Sequence, residues 1–240
     1  MPTMDFEAYL PSDAVASERA KALGQLLAME DAGGIHYVVT FPLPIARPDN
    51  EAMVETCNHE PRVLLGCQVN PNHGQEAVAD LERCVTRWGM RILKLYPPCL
   101  PLFNPKTLAL MDKARKLGII VNIHSGRGDS QPFIIGALAS RYPEVPIIMD
   151  HMGYRSWTAD AVLVAQDNPN VYLGTTVASF EPGRILEAMK VLGPERIIFG
   201  SNAPLLYVDL AVEAIRRARF GKEAEQLIFG GNLARLYHID

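Results

Sequence analysis

Cysteine is scarce: Cys57, Cys67, Cys84 and Cys99 are all that 240 residues contain. None forms a Cys-x-x-Cys pair and none stands at finger spacing from a histidine, which excludes a zinc-finger module and a disulfide-stapled scaffold. Reduced thiols in a cytoplasmic setting are the expectation. No apolar run approaches the ~20 residues needed to span a bilayer. The opening segment MPTMDFEAYLPSDAVASERAKALG has acids near its start and lacks the basic-then-apolar pattern of an export signal, so neither membrane insertion nor export is expected. No run of Lys or Arg occurs either, and 23 basic against 27 acidic residues give a formal charge of −4. A nucleic-acid partner is therefore not expected. With 48% hydrophobic and 21% charged residues, the chain also lacks the composition of a disordered protein.

What the chain does have is alternation. Short β-branched or apolar runs, namely MDFEAYL, HYVVTFP, VLLGCQVNP, RILKLYP, IIVNIHSG, PIIMDHMG, VYLGTT and RIIFGSNAP, read as eight strands. Between them lie SERAKALGQLLAMEDAG, NEAMVETCNHEP, GQEAVADLERCVTRWG, PKTLALMDKARKLG, QPFIIGALASRYP, TADAVLVAQDNP and GRILEAMKVLGPE, each with apolar residues at helical spacing. DLAVEAIRRAR and EAEQLIFGGNLARLY follow the last strand. Apolar strands separated by helices argue for a parallel sheet covered on both faces. Eight repeats point to a closed barrel, since open doubly wound sheets usually stop at five or six strands. The expectation is an α/β protein, a (β/α)8 TIM barrel occupying residues 1–240 as one domain.

A barrel builds its site where the strands end. Those ends carry Glu7 and Tyr9 on the first predicted strand, and Lys94 and Tyr96 on the fourth. They also carry His124 on the fifth, His151 after Asp150 on the sixth, and Asn202 on the eighth. Arg127 and Arg155 follow the two His-bearing strands, and a guanidinium fork is shaped to hold a carboxylate. Cys99, with no basic neighbour in sequence, is set aside as a nucleophile. The GGN near the carboxyl terminus lacks a strand-then-helix context and reads as a turn, not as a phosphate loop.

Taken together, KLYPP, FNPKTLALMDKARKLGIIVNIHSG, YPEVPIIMDHMG, NPNVYLGTT, LGPERIIFGSNAP and IFGGNLARLYHI resemble the amidohydrolase-related family of barrel hydrolases and decarboxylases, which includes the aminocarboxymuconate-semialdehyde and resorcylate decarboxylases. The resemblance runs in register from the fourth strand to the end and is collinear before that. It implies a divalent metal, zinc or manganese, held by a His-x-His or Glu-x-His pair on the first strand, a His on the fifth and an Asp on the eighth. A His on the sixth strand would move the proton. By that resemblance His124 is a metal ligand, His151 the acid/base group and Glu7 the Glu of a Glu-x-His pair. Tyr9 stands where the second His belongs and Asn202 where the Asp belongs. Both are poor zinc ligands, and an amide cannot take a proton from water.

Glu7 thus has two readings, metal ligation or an ion pair with Lys94 inside the barrel mouth. Lys94, Tyr96, Arg127, Arg155 and Tyr9 are the candidates to contact substrate, a small and anionic ring compound. Three functions follow. One is a hydrolase or decarboxylase with a weakened metal site of Glu7, His124 and Asn202. Another is a metal-independent, lactonase-like enzyme using His124 and His151. The third is a binding barrel without turnover. The short loops after the first two strands suggest an open cavity that a second subunit of a homo-oligomer would cover.

Overall fold

A computed structural model describes residues 2–96 and 101–239. Cys99, Pro97 and Pro98 lie outside the described residues. The strands are β1 (Met4–Leu10), β2 (Tyr37–Pro42), β3 (Val63–Leu65), β4 (Cys67–Gln68), β5 (Ile92–Leu95), β6 (Ile120–Ile123), β7 (Ile147–Met149), β8 (Val171–Gly174) and β9 (Ile197–Ile198). Each is parallel to its neighbour, in the orders β1-β2-β3 and β4 through β9. Helices α1 (Ala16–Gly33), α2 (Asn50–Cys57), α3 (Gln75–Trp88), α4 (Pro105–Leu117), α5 (Pro132–Arg141), α6 (Thr158–Asp167), α7 (Pro182–Leu192) and α8 (Val208–Arg217) alternate with them. Short α9 (Lys222–Gln226) and α10 (Asn232–Tyr237) complete the chain.

Two junctions turn these strands into a barrel. The third predicted strand is broken at Gly66 into β3 and β4, because a Cβ there would lie 2.1 Å from the Phe41 ring. Only glycine lets the backbone pass that close, and Gly66 N–H then donates to Thr40 O at 2.9 Å. At the other end β1 lies beside the chain that leaves β9. Phe6 N–H donates to Phe199 O (3.1 Å), Asn202 N–H to Glu7 O (2.9 Å) and Tyr9 N–H to Ala203 O (2.8 Å). The (β/α)8 barrel architecture follows from eight strand positions, the third of them in two pieces.

Period-two alternation sorts the strand residues into two cores. Leu93, Leu95, Val121, Ile123, Ile147 and Met149 face the helices in one cluster. Ile92, Ile120, Ile148, Ile198, Val39 and Phe6 fill the interior in another. Phe6 occupies the floor, where Cβ atoms at Gly174 and Gly200 would each come within 2.4 Å of its ring. One step further along β5, β6 and β7, the inward positions change from isoleucine to Lys94, Asn122 and Asp150. The apolar layer is thus the base on which a polar layer stands.

Candidate active site

The polar layer is organised around one ammonium. Lys94 Nζ donates to Glu7 Oε2 at 2.6 Å and to Asp150 Oδ2 at 2.7 Å, and its side chain is 1% exposed. Glu7 reaches this position because the β1–β2 register shifts between Asp5 and Ala8, and such a bulge re-aims the side chain that follows it. Both Glu7 oxygens accept hydrogen bonds: Tyr9 OH donates to Oε1 at 2.7 Å, while Asn122 Nδ2 donates to Oε2 at 2.5 Å beside Lys94. Burial and the nearby Asp150 charge push the Glu7 carboxyl up, with Lys94 pulling the other way. For Lys94, burial alone would favour the neutral amine, but the two carboxylates hold its pKa above the ordinary value. It is an ammonium at any physiological pH.

Above this triad sit the histidines. His151 Nε2 lies 3.0 Å from His124 Nδ1 and 3.0 Å from Asp150 Oδ2. Thr176 fixes the tautomer. Its one hydroxyl proton goes to Asp150 Oδ1 at 2.8 Å, so its oxygen accepts from His151 Nδ1, 2.5 Å away, and from His151 N–H at 3.1 Å. That leaves His151 Nε2 to accept from His124 Nδ1, and the Nε2 of His124 as a free lone pair. The backbone is strained locally by this placement. His151 (φ +61°) and Met152 (φ +50°) are left-handed, a conformation that costs roughly 1–2 kcal/mol per residue. Hydrogen bonds hold it: His151 N–H to Asp150 Oδ1 (2.7 Å), Ser125 Oγ to Asp150 O, and Gly153 N–H to Ser125 Oγ (2.9 Å).

Burial, then the charge of neighbouring groups, keeps both rings neutral. The pKa of His124 is lowered to about 2, by burial first and then by His151 and Lys94. That of His151 is lowered to about 4, mainly by burial, with Lys94 and Arg127 adding to the effect and Glu7 opposing it. His124 is only half-buried, so it is the member of the pair that meets solvent. Tyr96 packs edge-on against it at 4.9 Å between ring centres, and Tyr154 lies 6.1 Å from His151.

The remaining sequence candidates sit at the rim or reach the site through backbone. Arg127 is exposed in the loop after β6, close enough to depress both histidines. Arg155 is exposed and paired with Glu181 at 3.1 Å. Asn202, left-handed at φ +64°, is tied to Glu7 through its own N–H. Asp150, Asn122 and Thr176 are the members the motif reading left without a role. The signal for the first two was present, since Asn122 stands two residues before His124 on the same strand face and Asp150 directly precedes His151. Thr176 follows a different strand, 25 residues from His151, and carried no such signal. Space is limited as well: the hollow between His151, Tyr154, Val177 and Arg184 holds about 10 Å³, whereas one of about 570 Å³ lies at the opposite end beside Trp88 and Tyr237.

Residues 9–239 match the amidohydrolase family. The chain belongs to that family. A gamma-resorcylate decarboxylase of Polaromonas sp. (strain JS666 / ATCC BAA-500) is 25% identical over 122 residues, 43% of this chain and 37% of that enzyme, so little more than a third of the relative's length is matched. Among solved structures, an uncharacterised TIM-barrel protein of Bordetella bronchiseptica superposes with a TM-score of 0.82 at 16% identity, covering 100% of this chain and 99% of that one. A dihydroxybenzoic acid decarboxylase of Polaromonas sp. JS666, with bound manganese and the inhibitor 2-nitroresorcinol, superposes at 0.75 with 16% identity, covering 99% and 97%. These likenesses establish the barrel fold.

The metal that the family implies is a poor match for the first-strand residues. Each Glu7 oxygen already accepts a hydrogen bond, Oε2 from the Lys94 ammonium, and Tyr9 is a phenol that donates to Glu7. A different trio, His124, Asp150 and His151, offers one donor atom each within 4.8 Å of one another and could hold a cation by spacing alone. Its one carboxylate, however, is the acceptor of Lys94. A dication about 4 Å from that ammonium would meet a repulsion of about 8 kcal/mol at an effective dielectric of 20, before shielding by the ligands. As arranged, the residues do not fit a divalent metal.

Proposed function

We propose that this chain is a metal-independent hydrolase of the amidohydrolase family that opens an activated C–O bond, of the lactone or ester type, in a small anionic substrate. One observation carries the reading: His124 Nδ1 and Asp150 Oδ2 both lie 3.0 Å from His151 Nε2, behind a His124 ring that is neutral at pH 7. At pH 7 the His124 Nε2 lone pair is open to a proton from water, and the contacts through His151 to the Asp150 carboxylate counter the weak basicity that burial imposes. Water attacks the substrate carbonyl carbon and its proton passes to His124 Nε2. The Nδ1 proton of His124 can shift to His151 Nε2, where the Asp150 carboxylate stabilises the imidazolium. The C–O bond then breaks and the proton returns through His124 to the leaving alkoxide, giving a hydroxy acid from a lactone. Lys94 keeps Asp150 and Glu7 in place as a fixed cation, and Arg127 supplies positive charge at the mouth for the substrate's anionic group. Substrate reaches His124 by displacing the exposed Tyr154 and Arg155 side chains.

Decarboxylation is the second reading, favoured by the names of the relatives. It needs an acid to protonate the ring carbon, a role for which two imidazoles with lowered pKa are badly suited. The test is a panel of lactones, aryl esters and dihydroxybenzoates, assayed by proton release and by carbon dioxide release in the presence of a chelator. Hydrolysis that survives chelation and vanishes in His124→Ala supports the proposal. Carbon dioxide release from a dihydroxybenzoate, or turnover abolished by the chelator, overturns it.

A further inference from the structure

We propose that the Lys94 ammonium masks a metal site, which His124, Asp150 and His151 form once that ammonium is removed. The inference shares with the proposed function the view that the natural protein works without metal, and it is read out by binding instead of turnover.

Three observations converge. The first is charge. Two buried carboxylates, one from β1 and one following β7, converge on a single nitrogen at 2.6 and 2.7 Å. With Lys94 absent they would face each other uncompensated, and groups so placed must gain a proton or bind a cation. The second is the donor set. Asp150, which Lys94 now occupies at 2.7 Å, offers an oxygen within 4.8 Å of donor nitrogens on His124 and His151, and those nitrogens lie equally close to each other. One carboxylate and two imidazoles are a three-ligand set that suits zinc or cobalt, with water completing the shell. The third is distance. Nζ lies 2.7 Å from the Asp150 oxygen that a metal would need at ~2.0–2.2 Å, so the ammonium and a dication compete for one carboxylate. Conversely, while the ammonium is there, any dication reaching Asp150 is repelled by it. One lysine therefore does two things: it balances the acids and it keeps metals out.

The test is equilibrium dialysis against cobalt(II) and manganese(II), with the visible absorption of cobalt reporting its ligands. Wild type is compared with Lys94→Ala and with Lys94→Ala/Asp150→Asn. Lys94→Ala is expected to hold about one ion per chain with an affinity at least about a hundredfold above wild type, and Asp150→Asn is expected to remove most of that gain. Equal affinity in wild type and Lys94→Ala, or no binding by either, overturns the inference. Because Lys94→Ala leaves two buried carboxylates unpaired and is at risk of misfolding, a second variant, Lys94→Met with Glu7→Gln, keeps the charge balance and leaves His124, Asp150 and His151 as donors. It too must bind cobalt more tightly than wild type, and failure to do so while folded by circular dichroism overturns the inference. Wild type that turns over substrate in chelator while neither variant gains a metal leaves the proposed function standing and removes this inference alone.

Discussion

Glu30→Gln should flatten a pH dependence that the wild-type fold carries behind its first strand. Asp5 on β1 and Glu30 on α1 are 0% and 1% exposed, with their carboxyl groups against each other. Asp5 Oδ1 accepts from Glu7 N–H and Ser201 N–H, at 2.9 and 3.0 Å. Its Oδ2 and both Glu30 oxygens have no donor among the described residues. Two acceptors in contact can be satisfied only by a proton between them, so the pair is held partly protonated. Burial accordingly raises Asp5 from 3.8 to about 7, and burial together with Asp5 raises Glu30 well above its ordinary value.

The sign follows from which state binds more protons. Between pH 4 and 7 the folded chain keeps a proton that the unfolded chain has lost, so stability from this pair is complete below about pH 4 and is lost as pH rises through 7. At about 1.36 kcal/mol per pKa unit the full effect is roughly 4 kcal/mol, of which about 2–3 kcal/mol falls between pH 5 and pH 8. The two site histidines act in the opposite direction. Their folded pKa values of about 2 and about 4 lie below the unfolded 6.5, so their contribution grows as pH rises toward 6.5. The observable is therefore the difference between variant and wild type. The amide introduced by Glu30→Gln supplies a permanent donor to Asp5, and the stability of that variant relative to wild type should rise by about 2–3 kcal/mol from pH 5 to pH 8. That is roughly 5–10 °C in relative Tm for a chain of this size. Thermal melts at both pH values measure it, and parallel curves for the two proteins would refute the shared proton.

Other expectations concern the site and its floor. His124→Ala and His151→Ala should each lower turnover by about 10²–10⁴ without loss of fold, checked by steady-state rates and circular dichroism. The acid limb of the pH–rate profile should appear near pH 4 or below, since a base with a lowered pKa stays unprotonated until then. Arg127→Ala, removing a positive charge that depresses both rings, should move that limb upward. Thr176→Val should shift His151 away from its Nδ1-protonated tautomer, visible in ¹⁵N spectra of histidine-labelled protein, and Thr176→Ser should restore it. Gly174→Ala should cost about 1–3 kcal/mol in denaturant melts, because its new methyl would meet the Phe6 ring.

Much of the barrel was legible because its signal is local. Alternating apolar positions in RILKLYP, IIVNIHSG and PIIMDHMG define inner and outer faces without knowledge of any partner strand. The same alternation brings His124 and His151 to adjacent strand ends. What a strand list cannot convey is a break or a shift. Gly66 divides one expected strand in two because of the Phe41 ring on β2, and within VLLGCQVNP the glycine alone hints at a break without naming the ring that causes it. The ion triad was half legible: a Glu7–Lys94 pair follows from two strand ends in one mouth. Asp150 as its third member, and Thr176 as the group that orients His151, depend on distances across the barrel that no local pattern encodes.

The bulge in β1 shows how much one such shift decides. With strict alternation in MDFE, Asp5 and Glu7 would share a face and Phe6 would take the other. The register slip between Asp5 and Ala8 separates the two acids. Asp5 stays outside the barrel against Glu30, Phe6 points in to form the floor, and Glu7 also turns in to meet Lys94. The Asp5 carboxylate then anchors the slip by accepting the N–H groups of Glu7 and of Ser201, the residue before Asn202. The acid pair behind the strand and the ion triad in front of it are thus joined through one backbone segment. A change that ionises Asp5 should therefore alter not only stability but also the position of Glu7, and through Lys94 the carboxylate behind His151.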